Sequence, residues 1–253
     1  MPDVARIKLL LRYDGSRYHG WQVQPNGITV QSTLQDAIER ITGVRSGVTG
    51  CSRTDAGVHA EMFCCAFDTD SPLRGEKLAT ALNAVLPRDI AVYDACEVSD
   101  TFHPRYDARG KRYCYRIWNG RQRHPFWEGR ALHINRPLDE QRLNGAANAF
   151  CGTHDFAAFC AAGSDVADTV RTVTEAAVTR DGDLITFTVA ADGFLYNMVR
   201  IMTGTLLDIA FGRLPETAID EALQTGDRAA AGATAPATGL YLQTVWYERE
   251  VTA

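Results

Sequence analysis

The first hundred residues alternate between two spacings of apolar positions. Ile7–Tyr13 is a mostly apolar run followed by Asp14-Gly15, which predicts a buried strand that ends in a turn. Apolar residues then recur at helical spacing over Val30–Thr42, and Gly43 is typical of the residue that follows a helix. Similar patterns predict a strand over 58–68, a helix over 73–86 and a strand that begins at residue 90.

The second half of the chain contains a comparable succession of elements. Tyr113, Tyr115 and Ile117 occupy alternate positions within 112–118, which is the period of a half-buried strand. Asp181-Gly182 lies between two apolar runs and predicts a hairpin. The other predicted elements are a helix over 138–150, the two hairpin strands over 170–179 and 184–190, a helix over 196–211, a short helix after Pro215, and a strand over 240–247.

Strands joined by both hairpins and helices, without strict alternation, are typical of an α+β fold. We therefore predict two similar α+β domains, each a largely antiparallel sheet covered by helices, over residues 1–105 and 106–253. The cleft between two such halves would suit a large substrate and is the expected location of the active site.

Composition narrows the protein class. The chain has 253 residues, of which 45% are hydrophobic and 23% charged, as in globular proteins. No apolar run approaches the ~20 residues needed to cross a bilayer, and the N-terminus does not resemble a signal peptide. We therefore expect a cytoplasmic protein with no membrane segment.

The cysteines and histidines argue against disulfides and metals. The seven cysteines are odd in number and never spaced Cys-x-x-Cys, and the six histidines are scattered. Most cysteines have apolar or aromatic neighbours, which favours inert, buried thiols. We expect no disulfide framework and no metal site.

Charge is distributed unevenly. The net charge is −5, yet Arg105–Arg136 contains nine Lys or Arg against two acidic residues, a local charge of +7, and six aromatic residues are interleaved with them. Basic groups can neutralise phosphates while aromatic faces stack on unpaired bases, so this basic strip is a candidate RNA-binding surface. A strand with a solvated, arginine-rich face explains the same composition equally well.

The segment Gly50–Ala60, with the sequence GCSRTDAGVHA, is the most informative for chemistry. It is a polar loop that leads into an apolar strand. Gly50 and Gly57 permit backbone conformations that other residues rarely adopt in turns. Taken alone, Asp55 in such a loop would most simply cap its own backbone in an Asx-turn.

This loop resembles the catalytic loop of the tRNA pseudouridine synthase A family. Three further segments resemble family motifs in the same order, so the similarity extends from about Ile7 to Tyr247: Tyr13–Gln22 with Val30-Gln31-x-x-Leu34, Gly193–Arg200, and Pro236–Leu242. Two stretches differ from the sequence that is usual in the family, namely Cys51-Ser52 and His103–Ala108.

The resemblance implies a reaction and a partner. It implies isomerisation of uridine to pseudouridine in the anticodon stem-loop of tRNA (positions 38–40) by a cytoplasmic homodimer, without a redox cofactor, nucleotide or metal. One carboxylate, Asp55, is then indispensable. It could attack the sugar, attack the base, or move a ribose proton, and the sequence leaves all three open.

The resemblance also implies roles around Asp55. Arg53 would fill the space left by a flipped uridine or hold the flipped nucleotide, although a phosphate-facing arginine is the alternative. Tyr113 would pack against the target base, with an ordinary core position as its alternative. Arg200 would pair with the catalytic carboxylate and keep it ionised. Leu240 would supply an apolar wall.

Other functions remain open at this point. The same fold could modify another RNA, the basic strip could belong to a non-catalytic RNA-binding protein, and Cys51 could in principle serve a thiol enzyme, although no histidine is suitably arranged. His59 is a tempting general base, but three residues along a strand from Asp55 it is expected to point away.

Overall fold

A computed structural model of the chain describes residues 4–163 and 166–248. The chain divides into two compact units, Met1–Arg109 with Leu242–Ala253, and Gly110–Tyr241. Each unit combines a mainly antiparallel sheet with helices, which confirms the α+β class predicted from the sequence.

The sheet of the first unit is built around β1 (Ala5–Tyr13). This strand pairs antiparallel with β3 (His59–Thr69) on one side and with β4 (Ile90–Val98) on the other. Alternate residues of β1 are fully buried, because one face of the strand is directed into the core. The two-residue strand β2 (Thr49–Gly50), which periodicity does not reveal, pairs with β3.

This sheet is accompanied by helices α1 (Val30–Thr42) and α2 (Gly75–Val85). The bounds of α1 are those predicted. A capping box between Thr29 and Ser32 starts it, and Gly43 ends it in the left-handed conformation at φ 78°. Helix α2 starts two residues later and ends one residue earlier than predicted.

The second unit has strands β5 (Gly110–Trp118), β7 (Gly152–Asp155), β8 (Val170–Asp181) and β9 (Leu184–Ala191). The antiparallel order is β5-β9-β8-β7, and the short β6 (Leu132–His133) runs parallel to β5. The predicted hairpin is confirmed: β8 and β9 pair, and Gly182 takes the turn at φ 57°.

The second unit also contains helices α3 (Glu140–Ala147), α4 (Met198–Ala210) and α5 (Ala218–Thr225). The predicted start of α3 is too early, because Asp139 acts as its N-cap and accepts hydrogen bonds from the first turn. Most of α4 is buried, so it forms the centre of this unit's core.

The last strand, β10 (Leu240–Trp246), carries the chain from the second unit back into the first. In the first unit the carbonyl of Trp246 accepts the N–H of Arg109 at 2.9 Å. The hydroxyl of Tyr247 donates to the carbonyl of Pro104 at 2.9 Å, and its ring meets Phe102 edge-on at 5.2 Å.

Most cysteines are inaccessible, as expected. Cys51, Cys64, Cys65 and Cys114 are buried, and burial raises the pKa of Cys64 to about 12. A thiol enzyme built on the fully buried Cys51 is therefore not supported. The other three cysteines depart from the expected burial: Cys96 and Cys160 are half-buried, and Cys151 is exposed.

Candidate active site

Asp55 lies on a tight turn between β2 and β3. Its carbonyl accepts the N–H of Val58 at 3.1 Å, and Gly57 adopts φ 79°, a conformation that favours glycine. The residue is half-buried, between the buried Thr54 and the exposed Ala56. The turn therefore holds the Asp55 main chain in one conformation beside accessible surface.

The segment Tyr13–Gln22 holds this turn through main-chain contacts. The N–H of Trp21 donates to the carbonyl of Thr54 at 3.0 Å, and the N–H of Gly57 donates to the carbonyl of Tyr18 at 3.2 Å. A Cβ atom on Gly20 would lie 2.4 Å from the oxygen of Thr54. Two segments that the sequence singled out separately therefore form one packed structure, and the close approach requires glycine.

Side chains support the turn from within the core. The Tyr13 hydroxyl and the Thr54 Oγ1 atom form a buried hydrogen bond of 2.8 Å. The rings of Trp21 and Phe63 stack with centroids 4.1 Å apart. Gly50 lies directly against the indole, where a Cβ would be 2.6 Å from Trp21.

The His59 side chain contacts residues of the turn that follows β1. Its side chain is 2% exposed, its Nδ1 accepts the N–H of Gly15 at 3.1 Å, and the same atom lies 3.3 Å from a carboxylate oxygen of Asp14. These contacts give the imidazole a structural role at the start of β3.

Arg53 lies on the same loop as Asp55, two residues earlier, and is exposed. The first unit thus presents the Asp55 carboxylate and an accessible guanidinium on one short segment. An exposed arginine can reach either a phosphate or a displaced nucleotide, so this placement is compatible with both roles predicted for Arg53.

Tyr113 lies in β5, opposite Val189 of β9, and is only 6% exposed. Its ring meets Phe194 edge-on, with centroids 4.9 Å apart and planes at 76°. Phe194 belongs to the segment Gly193–Arg200, so the second unit connects the strand tyrosine with the segment that carries Arg200.

Arg200 is the third residue of α4. Its Nε donates to the carbonyl of Ala235 at 2.8 Å, and one terminal nitrogen donates to the Oδ1 of Asn197 at 2.7 Å. The N–H of Ala235 returns a bond to the Arg200 carbonyl at 3.0 Å. Asn197 was missed by sequence reasoning, because the apolar pattern placed it inside the predicted helix 196–211, whereas α4 begins at Met198.

Leu240 begins β10 and is 6% exposed. The preceding Gly239 lies against β5, where a Cβ would be 2.5 Å from the oxygen of Arg116 and 2.7 Å from the Tyr115 ring. The Tyr115 hydroxyl donates to the carbonyl of Pro236 at 2.7 Å. Burial raises the pKa of Tyr115, against the opposing effect of the Arg200 charge, so this hydroxyl stays protonated as a donor.

The basic strip separates into two parts. On β5, Arg112 forms an ion pair with Glu175 at 2.7 Å, and Arg116 lies over the Tyr241 ring at 4.1 Å. In the loop after β5, Arg121 and Arg123 are exposed and Phe126 is 79% exposed. The loop, more than the strand, therefore offers cations and an aromatic face to solvent.

Within residues 4–163 and 166–248, no group of three or more His, Cys, Asp or Glu side chains is arranged to hold a metal ion. In the same described residues, no helix has both the length and the apolar character that a membrane span requires.

Comparisons with known proteins agree on one family. The family model described as tRNA pseudouridine synthase matches residues 10–107 and 146–248, which is more than half of the chain. Proteins named tRNA pseudouridine synthase A from Acetivibrio thermocellus and from Thermoanaerobacter sp. strain X514 are each 44% identical over 244 residues. Each alignment covers 96% of this chain and 100% of the relative.

A third relative of the same name, from Geotalea uraniireducens, is 43% identical over 244 residues, with the same coverage of both chains. Among solved structures, a Cbf5-Nop10-Gar1 complex matches with a TM-score of 0.36 and 13% identity, over 99% of this chain and 60% of that one. That structural likeness is too weak to add to the family match.

Proposed function

The chain belongs to the tRNA pseudouridine synthase family, and from that premise we propose that it isomerises uridine to pseudouridine in the anticodon stem-loop of tRNA, at positions 38–40. The enzyme is an isomerase that acts in the cytoplasm, and Asp55 is its essential carboxylate. One observation supports the assignment of Asp55 above the others. The turn that carries Asp55 is held by main-chain hydrogen bonds from Tyr13–Gln22, a second segment that resembles a family motif.

The reaction rearranges one nucleotide without adding or removing atoms. The bond between C1′ and N1 breaks, the uracil turns, and a bond forms between C1′ and C5. C5 loses its proton and N1 gains one, so substrate and product have the same composition. The protein needs a positioned carboxylate and a way to hold the detached base, and Asp55 supplies the first.

The remaining roles are assigned to residues of both units. A uridine within a stem must leave its stack, which costs a few kcal/mol. Arg53, exposed beside Asp55, fills the vacated space or holds the flipped nucleotide. Tyr113 packs against the base, Leu240 gives an apolar wall, and Arg200 pairs with the catalytic carboxylate.

Removing the charge of Asp55 gives the most direct test. In Asp55→Asn the main-chain hydrogen bonds that hold the turn are kept, but the nucleophile or proton acceptor is lost. Purified protein is incubated with unmodified tRNA, and pseudouridine is mapped at single-nucleotide resolution. We expect no detectable product from the variant and a tRNA affinity within a few-fold of wild type.

Asp94→Asn is the matched control, since it removes an exposed carboxylate from β4 of the same unit and should leave turnover unchanged. Activity retained by Asp55→Asn would end its assignment as the essential group. Product mapped outside positions 38–40, or in another RNA, would replace the proposed substrate. RNA binding by wild-type protein without any pseudouridine would establish a non-catalytic RNA-binding protein instead.

Exposed and ion-paired arginines of the basic strip should differ in their contribution to RNA binding. Arg109 is exposed, whereas Arg112 is paired with Glu175. We expect Arg109→Gln to weaken tRNA binding and to reduce the slope of log affinity against log salt by about 0.7 to 0.9, one phosphate contact. Arg112→Gln should change the slope by less, because its charge is already partly compensated.

Affinities measured between about 50 and 200 mM salt decide this point. Unchanged slopes in both variants would mean that the strip is only a solvated face.

We also propose that the enzyme is a homodimer that binds one tRNA across both subunits. Light scattering on the purified protein distinguishes 27.8 kDa from twice that mass. A monomer at working concentration would overturn this part alone.

A further inference from the structure

Asn197 has an unusual backbone conformation. Among the residues that the structure describes, it is the one non-glycine residue with positive φ, at φ 60° and ψ 10°. Elsewhere in those residues glycine takes this region, as at Gly20, Gly43 and Gly57. Asparagine tolerates the left-handed region better than most residues, but the conformation is still less favourable than for glycine. A side chain is therefore retained where glycine would fit more easily.

That side chain does not cap the helix. An asparagine at the N-cap ordinarily accepts a hydrogen bond from a main-chain N–H of the first turn. Asn197 makes no such bond. Its Oδ1 accepts from the guanidinium of Arg200 at 2.7 Å instead. The residue gives up its usual contribution to helix stability and binds the side chain at the third helical position.

The other anchor of Arg200 is rigid. Its Nε donates to the carbonyl of Ala235, which is buried. The neighbouring chain is pressed onto α4, since a Cβ on Gly204 would lie 1.6 Å from the Ala233 oxygen. With one bond to Ala235 and a second to Asn197, two different nitrogens of the planar guanidinium are held, which fixes both its position and its orientation.

We propose that Asn197 is a positioning residue: its side-chain oxygen fixes the orientation of the Arg200 guanidinium, and its left-handed backbone is the geometry that brings this oxygen within reach. The inference rests on the proposed function, in which Arg200 pairs with the catalytic carboxylate of Asp55. Asn197 itself does not contact the reacting atoms.

Substitution by glycine separates the backbone from the side chain. Asn197→Gly retains the left-handed conformation and removes the acceptor, so the melting temperature should stay within about 3 °C of wild type. Loss of orientation should lower kcat roughly 10- to 100-fold, with KM for tRNA within about three-fold. Asn148→Gly, the same substitution at the exposed end of α3, is the matched control and should leave kcat unchanged.

Two further variants test whether the effect passes through Arg200. Asn197→Asp keeps an acceptor in a residue that also tolerates positive φ, and should restore most of the kcat lost in the glycine variant. In an Arg200→Ala background, Asn197→Gly should cause no further loss, because the group that it orients is gone.

The outcomes are distinguishable. Full activity in Asn197→Gly, or additive losses in the double variant, would overturn the positioning role. Full activity in Arg200→Ala would overturn the role of Arg200, and with it this inference. Wild-type protein that makes no pseudouridine at all would overturn the proposed function itself.

Discussion

The two units hold their candidate site residues by different means. In the first unit, main-chain hydrogen bonds and close glycine contacts from Tyr13–Gln22 hold the turn that carries Asp55. In the second unit, side-chain hydrogen bonds to Asn197 and to the carbonyl of Ala235 hold Arg200. The first unit fixes the main chain of Asp55, whereas the second unit fixes the Arg200 guanidinium at the far end of a long side chain.

This difference follows from the lengths of the side chains. An aspartate has two side-chain torsions, so a rigid main chain limits its oxygens to a few rotamer positions. An arginine has about 2 kcal/mol of rotamer entropy, and only contacts at the guanidinium can restrain it. The first unit should therefore be sensitive to any atom added between its main-chain segments, and the second to the loss of single polar atoms.

The largest effect is expected from Gly20→Ala. The new Cβ would lie 2.4 Å from the Thr54 oxygen, at a φ of 82° that alanine adopts poorly. The turn must shift by close to 1 Å, so we expect kcat to fall about 100-fold or more. The free energy of unfolding should fall by about 3 kcal/mol, as measured by denaturant titration.

Gly43→Ala is the control, because Gly43 has nearly the same φ, 78°, and a Cβ added there would meet nothing within 4 Å. It should lose about 1 kcal/mol of stability from backbone strain and no activity. Equal losses in the two variants would show that strain alone, and not the contact with the Asp55 turn, explains the effect at Gly20.

A smaller effect is expected from the buried hydrogen bond between Tyr13 and Thr54. Tyr13→Phe leaves the Thr54 hydroxyl without this partner, and stability should fall by about 1 to 2 kcal/mol with little change in kcat. Thr54→Val in the same protein removes the second polar group, so the pair should lose less than the sum of the single variants.

The measurement is thermal or chemical unfolding of four proteins: wild type, Tyr13→Phe, Thr54→Val and the double variant. Together they form a double-mutant cycle. A loss of kcat in Tyr13→Phe as large as that in Gly20→Ala would contradict the view that main-chain contacts position the turn that carries Asp55.

Local pattern predicts most of the fold, because most elements have local causes. The bounds of α1 are predictable because its apolar spacing, its cap at Thr29 and its end at Gly43 all lie in adjacent sequence. The short strands β2, β6 and β7 are not, since two to four residues are too few to show a period. Helix α4 starts two residues later than predicted because Asn197 is left-handed.

The site is predictable only through its motifs. Periodicity alone would have left Asp55 as a residue capping its own loop. That Gly20 meets the Thr54 oxygen, or that Asn197 binds Arg200, depends on contacts that form only in the folded chain. No local signal marks an asparagine that binds a side chain rather than capping its helix.

The return of β10 to the first unit has a consequence for synthesis. The unit that carries Asp55 includes residues from both ends of the described chain, and Arg109 and Pro104 bond to Trp246 and Tyr247. During translation these last partners leave the ribosome after the whole second unit. The second unit can therefore fold as it emerges, while the first waits in an incomplete form until Trp246 and Tyr247 have emerged.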